Sequence, residues 1–267
     1  MESLGLVKFL FPAPSNLMVS AMSAVSLVSL ANAGFSELKG KHLNYSKFWN
    51  ANNNNNNNNR KVSSRNGMLF LYTPAFLAGV ASFGLFPDEG LRFFFIKSAL
   101  TIHFFKRLFE VMLIHKYSGG MDIDSAIPIS LSYFLSTATM IYAQHLTKGY
   151  PDPPIDLKYV GIVLFLIGIS GNFYHHYLLS KLRSNANDKQ YKIPKGGLFE
   201  LVLCPHYLFE ILGFWGVSFI SQTLYSFSFT MGTTLYLMGR SYATRRWYLS
   251  KFDDFPHHVK ALIPFVF

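Results

Sequence analysis

Long apolar runs separated by short polar or basic stretches make up most of the chain between residues 16 and 239. Each run has about 20 residues, the length that an α-helix needs to cross the hydrocarbon core of a bilayer. The pattern predicts an all-α polytopic membrane protein, with about seven transmembrane helices in one bundle and a single domain over residues 1–267. The predicted spans are residues 16–34, 68–86, 91–114, 126–146, 159–179, 198–220 and 224–239.

The polar segment at residues 35–67 separates the first two predicted spans. It contains an asparagine run at 52–59, which cannot bury apolar surface and is therefore predicted to be a disordered loop. The span before it is interpreted as a retained helix. A cleaved signal is the alternative, because the Ala-Asn-Ala sequence at 31–33 resembles a cleavage site.

The composition is typical of a membrane protein. Apolar residues are 50% of the 267 positions and charged residues 14%, whereas a soluble domain carries about 25% charged residues. The net charge of +10 is compatible with nucleic-acid binding, but the basic residues lie in short loops, where membrane topology explains them. We therefore expect membrane lipids, and no nucleic acid, around the protein. The single cysteine, Cys204, rules out an internal disulfide and a multi-cysteine zinc site.

Lysine and arginine concentrate after the first and fifth predicted spans and in the tail from residue 240. The positive-inside rule then places the N-terminus outside or in a lumen and the C-terminus in the cytosol. A set of polar side chains falls near the cytosolic ends of different spans, which is typical of a site, although long basic side chains also reach the interface without one. Its members are Lys106, Arg107, Asn172, His176, Arg183 and Arg240.

The stretch from residue 191 to residue 215 runs from a basic loop into an apolar segment that contains His206, Tyr207 and Glu210. Titratable groups are costly in hydrocarbon and usually have a function there. His206 and Glu210 are four residues apart and share a helix face, as do Lys106 and Glu110, which could form an ion pair. The alternative for His206 and Glu210 is a hydrogen-bonded core contact that holds two helices together. For Lys106 the alternative to a catalytic role is this ion pair with Glu110.

No glycine-rich nucleotide motif of the Rossmann or Walker type is present, so a bound nucleotide would need another arrangement. The histidines lack the clustered boxes of membrane di-iron enzymes, and no metal site is predicted. Basic residues could clamp a phosphorylated ligand, because guanidinium matches phosphate oxygens, or they could bind anionic lipid headgroups. These residues are Arg183, Lys192, Lys195, Arg240, Arg245 and Arg246.

Motifs within residues 150–267 resemble the steroid 5-alpha-reductase family of polytopic membrane reductases. They are Gly171-Asn172, Tyr191-Lys192-Ile193-Pro194-x-Gly-Gly-Leu-Phe199, Cys204-Pro205-His206-Tyr207-x-x-Glu210, Arg246-x-Tyr248-x-x-x-Phe-x-Asp254-x-Pro256 and Lys260-Ala-Leu-Ile-Pro-Phe-x-Phe267. The resemblance implies a seven-helix enzyme of the endoplasmic reticulum membrane that reduces, with NADPH, a carbon–carbon double bond conjugated to a carbonyl. The implied cofactor-binding residues are Asn172, His176, Arg183, Tyr191, His206, Glu210, Arg240, Tyr248 and Arg107.

The chain departs from the steroid reductases where those carry a glutamate and a tyrosine that grip the substrate's ketone. Tyr72 and Phe104 occupy the matching places. The Cys-Pro-His-Tyr sequence at 204–207 is similar to the Cys-Pro-Asn-Tyr of enoyl-CoA reductases. The substrate is therefore predicted to be a hydrophobic lipid or steroid, with an enoyl-CoA or a polyprenol as alternatives.

The implied reaction transfers a hydride to the carbon β to a carbonyl, so negative charge develops on the carbonyl oxygen. A hydrogen-bond donor aimed at that oxygen stabilises the charge. The predicted catalytic residues are Tyr207 and Tyr72 as donors, with Lys106 as a cation that assists the tyrosine. Two other classes stay open from the residues alone: a membrane methyltransferase that uses S-adenosylmethionine, and a receptor or transporter without catalysis.

Overall fold

The computed structural model describes residues 8–13, 15–42, 61–87, 90–117, 119–183 and 191–267. Within these ranges the α-helices are α1 Leu17–Leu38, α2 Ser64–Leu85, α3 Leu91–Phe109, α4 Ile123–His145, α5 Lys158–Lys181, α6 Pro205–Ser221 and α7 Leu224–Lys251. A π-turn, Glu110–Ile114, continues α3, and a 3-10 turn, Gly197–Glu200, lies ahead of α6. Two short antiparallel strands, β1 Lys61–Ser63 and β2 Gly120–Asp122, pair beside α2 and α4.

Four of these helices, α1, α2, α4 and α5, are long and apolar enough to cross a membrane. Among the others, α6 has 17 residues, and α3 carries Arg92 and Lys97 as well as basic residues in its last turn. The prediction of a mostly helical membrane protein is confirmed. A membrane crossing by each of the seven helices stays a prediction.

The bounds of the first three helices agree in part with those of the predicted spans. The predicted bounds of the third span, residues 91–114, coincide with those of α3 together with the π-turn, while a membrane crossing by this segment stays a prediction. The polar segment at 35–67 was predicted too long at both ends, because α1 continues to Leu38 and the side chain of Ser63 caps α2 by accepting from Asn66 N. The asparagine run at 52–59 lies outside the described residues.

The sixth and seventh predicted spans are wrong at one end each. Residues 198–220 are not one helix, because Pro205 lacks a backbone donor and so begins α6 instead of lying inside it. The residues just before it bond to the tail, with Leu203 N donating to Lys260 O at 2.8 Å and Cys204 N to Ala261 O at 3.0 Å. The seventh helix does not end at residue 239 but continues to Lys251.

Glycines allow two helix pairs to pack with their backbones almost in contact. A methyl group at Gly168 of α5 would overlap the backbone of Gly213 in α6 and lie 2.7 Å from Phe209 O. In the α1–α7 pair, a methyl group at Gly34 would lie 2.5 Å from Leu235 O, and one at Gly239 would overlap Gly34. Small residues favour such close approach because helices in lipid associate largely by packing.

Gln222 joins several segments at one end of the bundle. Its backbone is left-handed, with φ of 53°, and its side chain is fully buried. The side-chain oxygen accepts from Arg92 Nη1 at 2.8 Å and Leu157 N at 2.9 Å, and the amide nitrogen donates to Ile155 O at 2.8 Å and to Phe9 O. One amide therefore holds the N-terminal segment, α3 and the α4–α5 loop against the α6–α7 turn.

An ion cluster lies at the same end. Arg92 contacts Asp152 at 3.0 Å and Asp156 at 2.8 Å, and Lys158 contacts Asp156 at 3.1 Å. Partial burial of Asp156 acts to raise its pKa. Hydrogen bonds from Lys158 and the charge of Arg92 outweigh this effect, so the pKa of Asp156 is lowered. Arg92 and Lys158 therefore have acidic partners at this end.

Replacing Gly168 by alanine should destabilise the α5–α6 pair, because the new methyl group has no space between the two backbones. We expect a loss of about 1–3 kcal/mol, measured as a lower melting temperature of the detergent-purified protein. Gly84→Ala is the matched control, since no other atom of the described residues lies within 4 Å of its added methyl group. Equal melting temperatures for the two variants would contradict this account of the packing.

Candidate active site

The last turn of α3 and the first residue of the π-turn carry three charged residues of the site. Lys106 and Glu110 lie four residues apart, and their Nζ and Oε1 atoms are 2.9 Å apart, so the predicted ion pair is confirmed. Arg107 Nη1 lies 3.3 Å from the other carboxylate oxygen of Glu110. Glu110 is also the first residue of the π-turn, in which His115 N donates to Glu110 O at 2.8 Å. Such turns occur frequently at functional sites.

Arg107 links α3 to α2 through Tyr72. Its Nη2 donates to the Tyr72 hydroxyl at 2.7 Å, and its guanidinium lies 4.9 Å from the centre of the tyrosine ring. Tyr72 is buried and packs against Phe104 and Tyr133, with ring centres at 6.5 and 5.6 Å. The cation at the Tyr72 hydroxyl is therefore Arg107, while Lys106 faces Glu110 and Asn172.

Asn172 joins α3, α5 and α6. Its side-chain oxygen accepts from Lys106, and its nitrogen donates to His206 O at 2.7 Å. The same nitrogen lies 3.4 Å from the Glu210 carboxylate, which is itself buried. The amide of Asn172 therefore contacts the backbone of His206 and the side chain of Glu210, both on α6.

His176, one turn beyond Asn172 on α5, contacts both Glu110 and Arg107. Its Nδ1 lies 3.0 Å from Glu110 Oε1 and 3.2 Å from Arg107 Nη1. The ring of His115 is 5.1 Å from that of His176, and one ligand-type atom from each of Glu110, His115 and His176 falls within 4.8 Å of the others. Because Lys106 and Arg107 already contact the carboxylate, a metal cation there would be repelled.

The cluster is close to electrically neutral when its histidines are uncharged. Lys106 and Arg107 supply two positive charges, and Glu110 and Glu210 supply two negative charges. All four side chains lie inside the bundle, with Glu110 fully buried. Charges at such depth are tolerated only when they are paired. The arrangement keeps charged and polar groups from α2, α3, α5 and α6 together at one end of the protein.

Arg183 lies at the end of α5, beside the segment that follows the π-turn. Arg183 Nη1 donates to Lys116 O at 2.8 Å, and Lys116 Nζ donates to Arg183 O at 2.7 Å. The two cations are thus held side by side near His115. Two adjacent positive charges at the edge of a polar cluster favour an anionic ligand.

Other predicted site residues lie away from this cluster. Arg240 of α7 donates to Glu37 of α1 at 2.6 Å, and both side chains are buried. Tyr191 packs its ring 4.9 Å from that of Trp247, and the Tyr248 hydroxyl donates to Lys192 O at 3.4 Å. Together these contacts connect α1 and the 191–195 loop to α7 at the same end of the bundle.

Tyr207 stands beside His206, with ring centres 4.3 Å apart. It packs against the apolar group formed by α6, α7 and the tail, which includes Leu203, Ile211 and Leu262. Tyr72 and Tyr207 therefore lie on different helices, and Tyr207 adjoins the site through the ring of His206.

His175 holds the turn ahead of α6 against α5. Its Nδ1 lies 2.7 Å from Gly171 O, and Leu198 N donates to its Nε2 at 3.1 Å. Its ring stacks on Phe209 at 5.2 Å. His175 therefore holds the residues that lead into His206 against the part of α5 that carries Asn172 and His176.

Sequence reasoning did not include Glu110 or His115 among the site residues. Glu110 was recognised only as a partner for Lys106, although a carboxylate in an apolar span is itself a signal of function. His115 had no such signal, because it follows a helix end whose π-turn the sequence pattern does not indicate.

Comparisons with known proteins agree with these motifs. The family model described as 3-oxo-5-alpha-steroid 4-dehydrogenase matches residues 129–267. A very-long-chain enoyl-CoA reductase from Dictyostelium discoideum is 32% identical over 75% of this chain and 67% of its own length. The steroid 5-alpha-reductase DET2 from Gossypium hirsutum is 32% identical over 70% and 76%. The 3-oxo-5-alpha-steroid 4-dehydrogenase 1 of Macaca fascicularis is 39% identical over 47% and 48%.

His115 should make the protein less stable as the pH falls. Burial is the main cause that lowers its pKa from 6.5 to about 4; the Glu110 carboxylate opposes this shift, and the charges of Arg107, Lys106 and Arg183 add to it. The unfolded chain then binds this proton more readily, so stability is complete above pH 6.5 and falls towards pH 4, by about 3 kcal/mol. Melting temperatures at several pH values should show a smaller fall for His115→Gln than for the wild type.

The exposed His258 provides the control. His258→Gln should keep the full pH dependence of the wild type. An identical dependence in His115→Gln and the wild type would contradict the assignment.

Proposed function

The chain belongs to the 3-oxo-5-alpha-steroid 4-dehydrogenase family, and we propose that it uses NADPH to reduce a carbon–carbon double bond conjugated to a carbonyl in a lipid. Its relatives are named as steroid 5-alpha-reductases and enoyl-CoA reductases, so the chain is an oxidoreductase acting on CH–CH groups. The supporting observation is the cluster in which Arg107 binds the Tyr72 hydroxyl at 2.7 Å beside Asn172. A methyltransferase or a receptor receives no support from these relatives.

The residues of the site suit a dinucleotide. Asn172, His206 and Glu210 offer donors and acceptors for a carboxamide and for ribose hydroxyls. Arg183 and Lys116 offer the cations that phosphate groups need. The resemblance to the family extends this set to Arg107, His176, Tyr191, Arg240 and Tyr248.

Bound NADPH would supply the hydride that adds to the β-carbon, and a proton adds to the α-carbon. The protein must meanwhile stabilise negative charge on the carbonyl oxygen. The Tyr72 hydroxyl accepts from the cationic Arg107, which strengthens the hydroxyl as a donor to that oxygen. Tyr207 is the second candidate donor, and Lys106 holds Asn172.

The proposed substrate is a 3-oxo-Δ4 steroid or a related enone. A trans-2-enoyl-CoA is the second candidate, favoured by Tyr72 and Phe104 at the places where steroid reductases carry their glutamate and tyrosine. NADPH oxidation by the purified protein should be measured against a steroid enone, an enoyl-CoA and a polyprenol precursor. Failure to oxidise NADPH with every member of this panel would refute the proposed function.

We place the protein in the endoplasmic reticulum membrane with seven spans and the C-terminus in the cytosol. Lys116 and Arg183 lie at the end that carries the site. At the opposite end, Arg92 and Lys158 are bound by aspartates. The positive-inside rule assigns the more basic loops to the cytosol, where NADPH is available.

Tyr72→Phe should lower kcat by about 100-fold or more, because the variant loses the hydroxyl that faces the developing charge. NADPH affinity should change little, since the ring and its neighbours remain. The measurement is steady-state kinetics with the best substrate of the panel, together with an NADPH binding titration.

Tyr207→Phe tests the second candidate in the same assay, and Tyr159→Phe is the control because Tyr159 is 64% exposed. A normal kcat in Tyr72→Phe combined with a large loss in Tyr207→Phe would transfer the donor role to Tyr207.

Lys116→Ala and Arg183→Ala should each raise KM for NADPH by roughly 10-fold, because each removes a charge-assisted contact to phosphate. KM for NADH should change less if these cations face the additional phosphate of NADPH. Lys148→Ala, on an exposed loop at the opposite end, is the control. Equal increases in KM for NADPH and for NADH would show that these two residues do not recognise the additional phosphate of NADPH.

A further inference from the structure

Glu110 contacts three side chains of the site with one buried carboxylate. Its Oε1 lies 2.9 Å from Lys106 Nζ and 3.0 Å from His176 Nδ1, and its Oε2 lies 3.3 Å from Arg107 Nη1. The residue has no exposed surface. Both oxygens therefore have partners within the protein, and all three partners belong to the cluster.

Each partner of Glu110 reaches a different helix. Lys106 donates to Asn172 on α5, and Arg107 donates to Tyr72 on α2. The ring of His176 lies 5.4 Å from that of His206 on α6. A change at Glu110 would therefore be transmitted to the proposed proton donor and to the proposed cofactor-binding amide together.

Electrostatics explains why this carboxylate is needed. Lys106 and Arg107 are consecutive in sequence and both lie inside the bundle, so their positive charges repel each other in a medium of low polarity. Glu110 is the anion in direct contact with both. Without its charge, two buried cations would lose their common partner and would move apart or towards solvent.

The π-turn gives Glu110 this position. The hydrogen bond from His115 N to Glu110 O spans five residues, so the helix is wider here than in α3. As a result, the Glu110 carboxylate and the His115 ring both adjoin His176. The backbone and the side chain of Glu110 are thus both fixed.

We propose that Glu110 is a positioning residue of the reductase. Its carboxylate holds Arg107 on the Tyr72 hydroxyl and Lys106 on Asn172, so that proton donor and cofactor are aligned. The proposal rests on the proposed function, because it assigns Glu110 an effect on that reaction. Glu110 itself touches neither substrate nor cofactor.

Glu110→Gln in the full-length detergent-purified protein is the first test. Glutamine keeps the size but removes the charge, and we expect kcat to fall by about 100-fold, the effect of a small displacement of catalytic groups. KM for NADPH should rise less than kcat falls. Glu110→Asp keeps the charge on a shorter side chain and should recover part of the loss, but not all of it. Asp253→Asn, an exposed acid near the tail, controls for the charge change.

A double-mutant cycle separates positioning from general damage. If Glu110 acts through Arg107 and Tyr72, adding Glu110→Gln to Tyr72→Phe should lower kcat by much less than it does in the wild type. Fully additive losses, an unchanged kcat in Glu110→Gln, or an unchanged kcat in Tyr72→Phe would each overturn the proposal.

Melting temperatures show whether each variant is folded. If Glu110→Gln is not recovered folded, Glu110→Asp decides, because the shorter carboxylate cannot keep all three contacts. A folded Glu110→Asp protein with wild-type kcat would overturn the proposal, and a loss of about tenfold or more supports it. A wild-type protein that reduces no member of the panel refutes the proposed function. An active wild type with an unaffected Glu110→Gln refutes only the positioning role.

Discussion

The site depends on keeping charged side chains inside an apolar bundle. Lys106 and Arg107 can remain there because the Glu110 carboxylate lies 2.9 and 3.3 Å from them, and Glu210 adds a second negative charge through Asn172. Each charge would be unstable in this environment alone. The requirement for compensation draws α3, α5 and α6 to one point, and Arg107 adds α2 through Tyr72. The polar network therefore determines which helices meet at the site.

The close approach of the helices has a second cause, which is the placement of small residues. Gly168 lies against Gly213 between α5 and α6, and the ring of Phe209 occupies the space beside Gly171. Because Asn172 follows Gly171, the packing that brings α5 onto α6 also brings the amide of Asn172 to His206 O. Packing in the apolar part of the bundle and hydrogen bonding at its end thus support the same geometry.

The two ends of the bundle differ in how their charges are arranged. At one end, Gln222 and the aspartates that bind Arg92 close a structural network around the N-terminal segment and the α6–α7 turn. At the other end, the helices leave a tyrosine, an amide and several cations near one another. Such groups suit the dinucleotide and the unsaturated lipid of the proposed function.

The sequence by itself determined the helical membrane class, the family and the Lys106–Glu110 pair, because apolar periodicity, motifs and a four-residue spacing are local properties. It could not place the π-turn, the pairing of residues 201–204 with the tail, or the contact between Arg107 and Tyr72. These features depend on which segments face each other in three dimensions, as in the hydrogen bonds between the residues before Pro205 and the tail. The tertiary structure also separated Arg240, which pairs with Glu37, from the cluster that the motifs had joined.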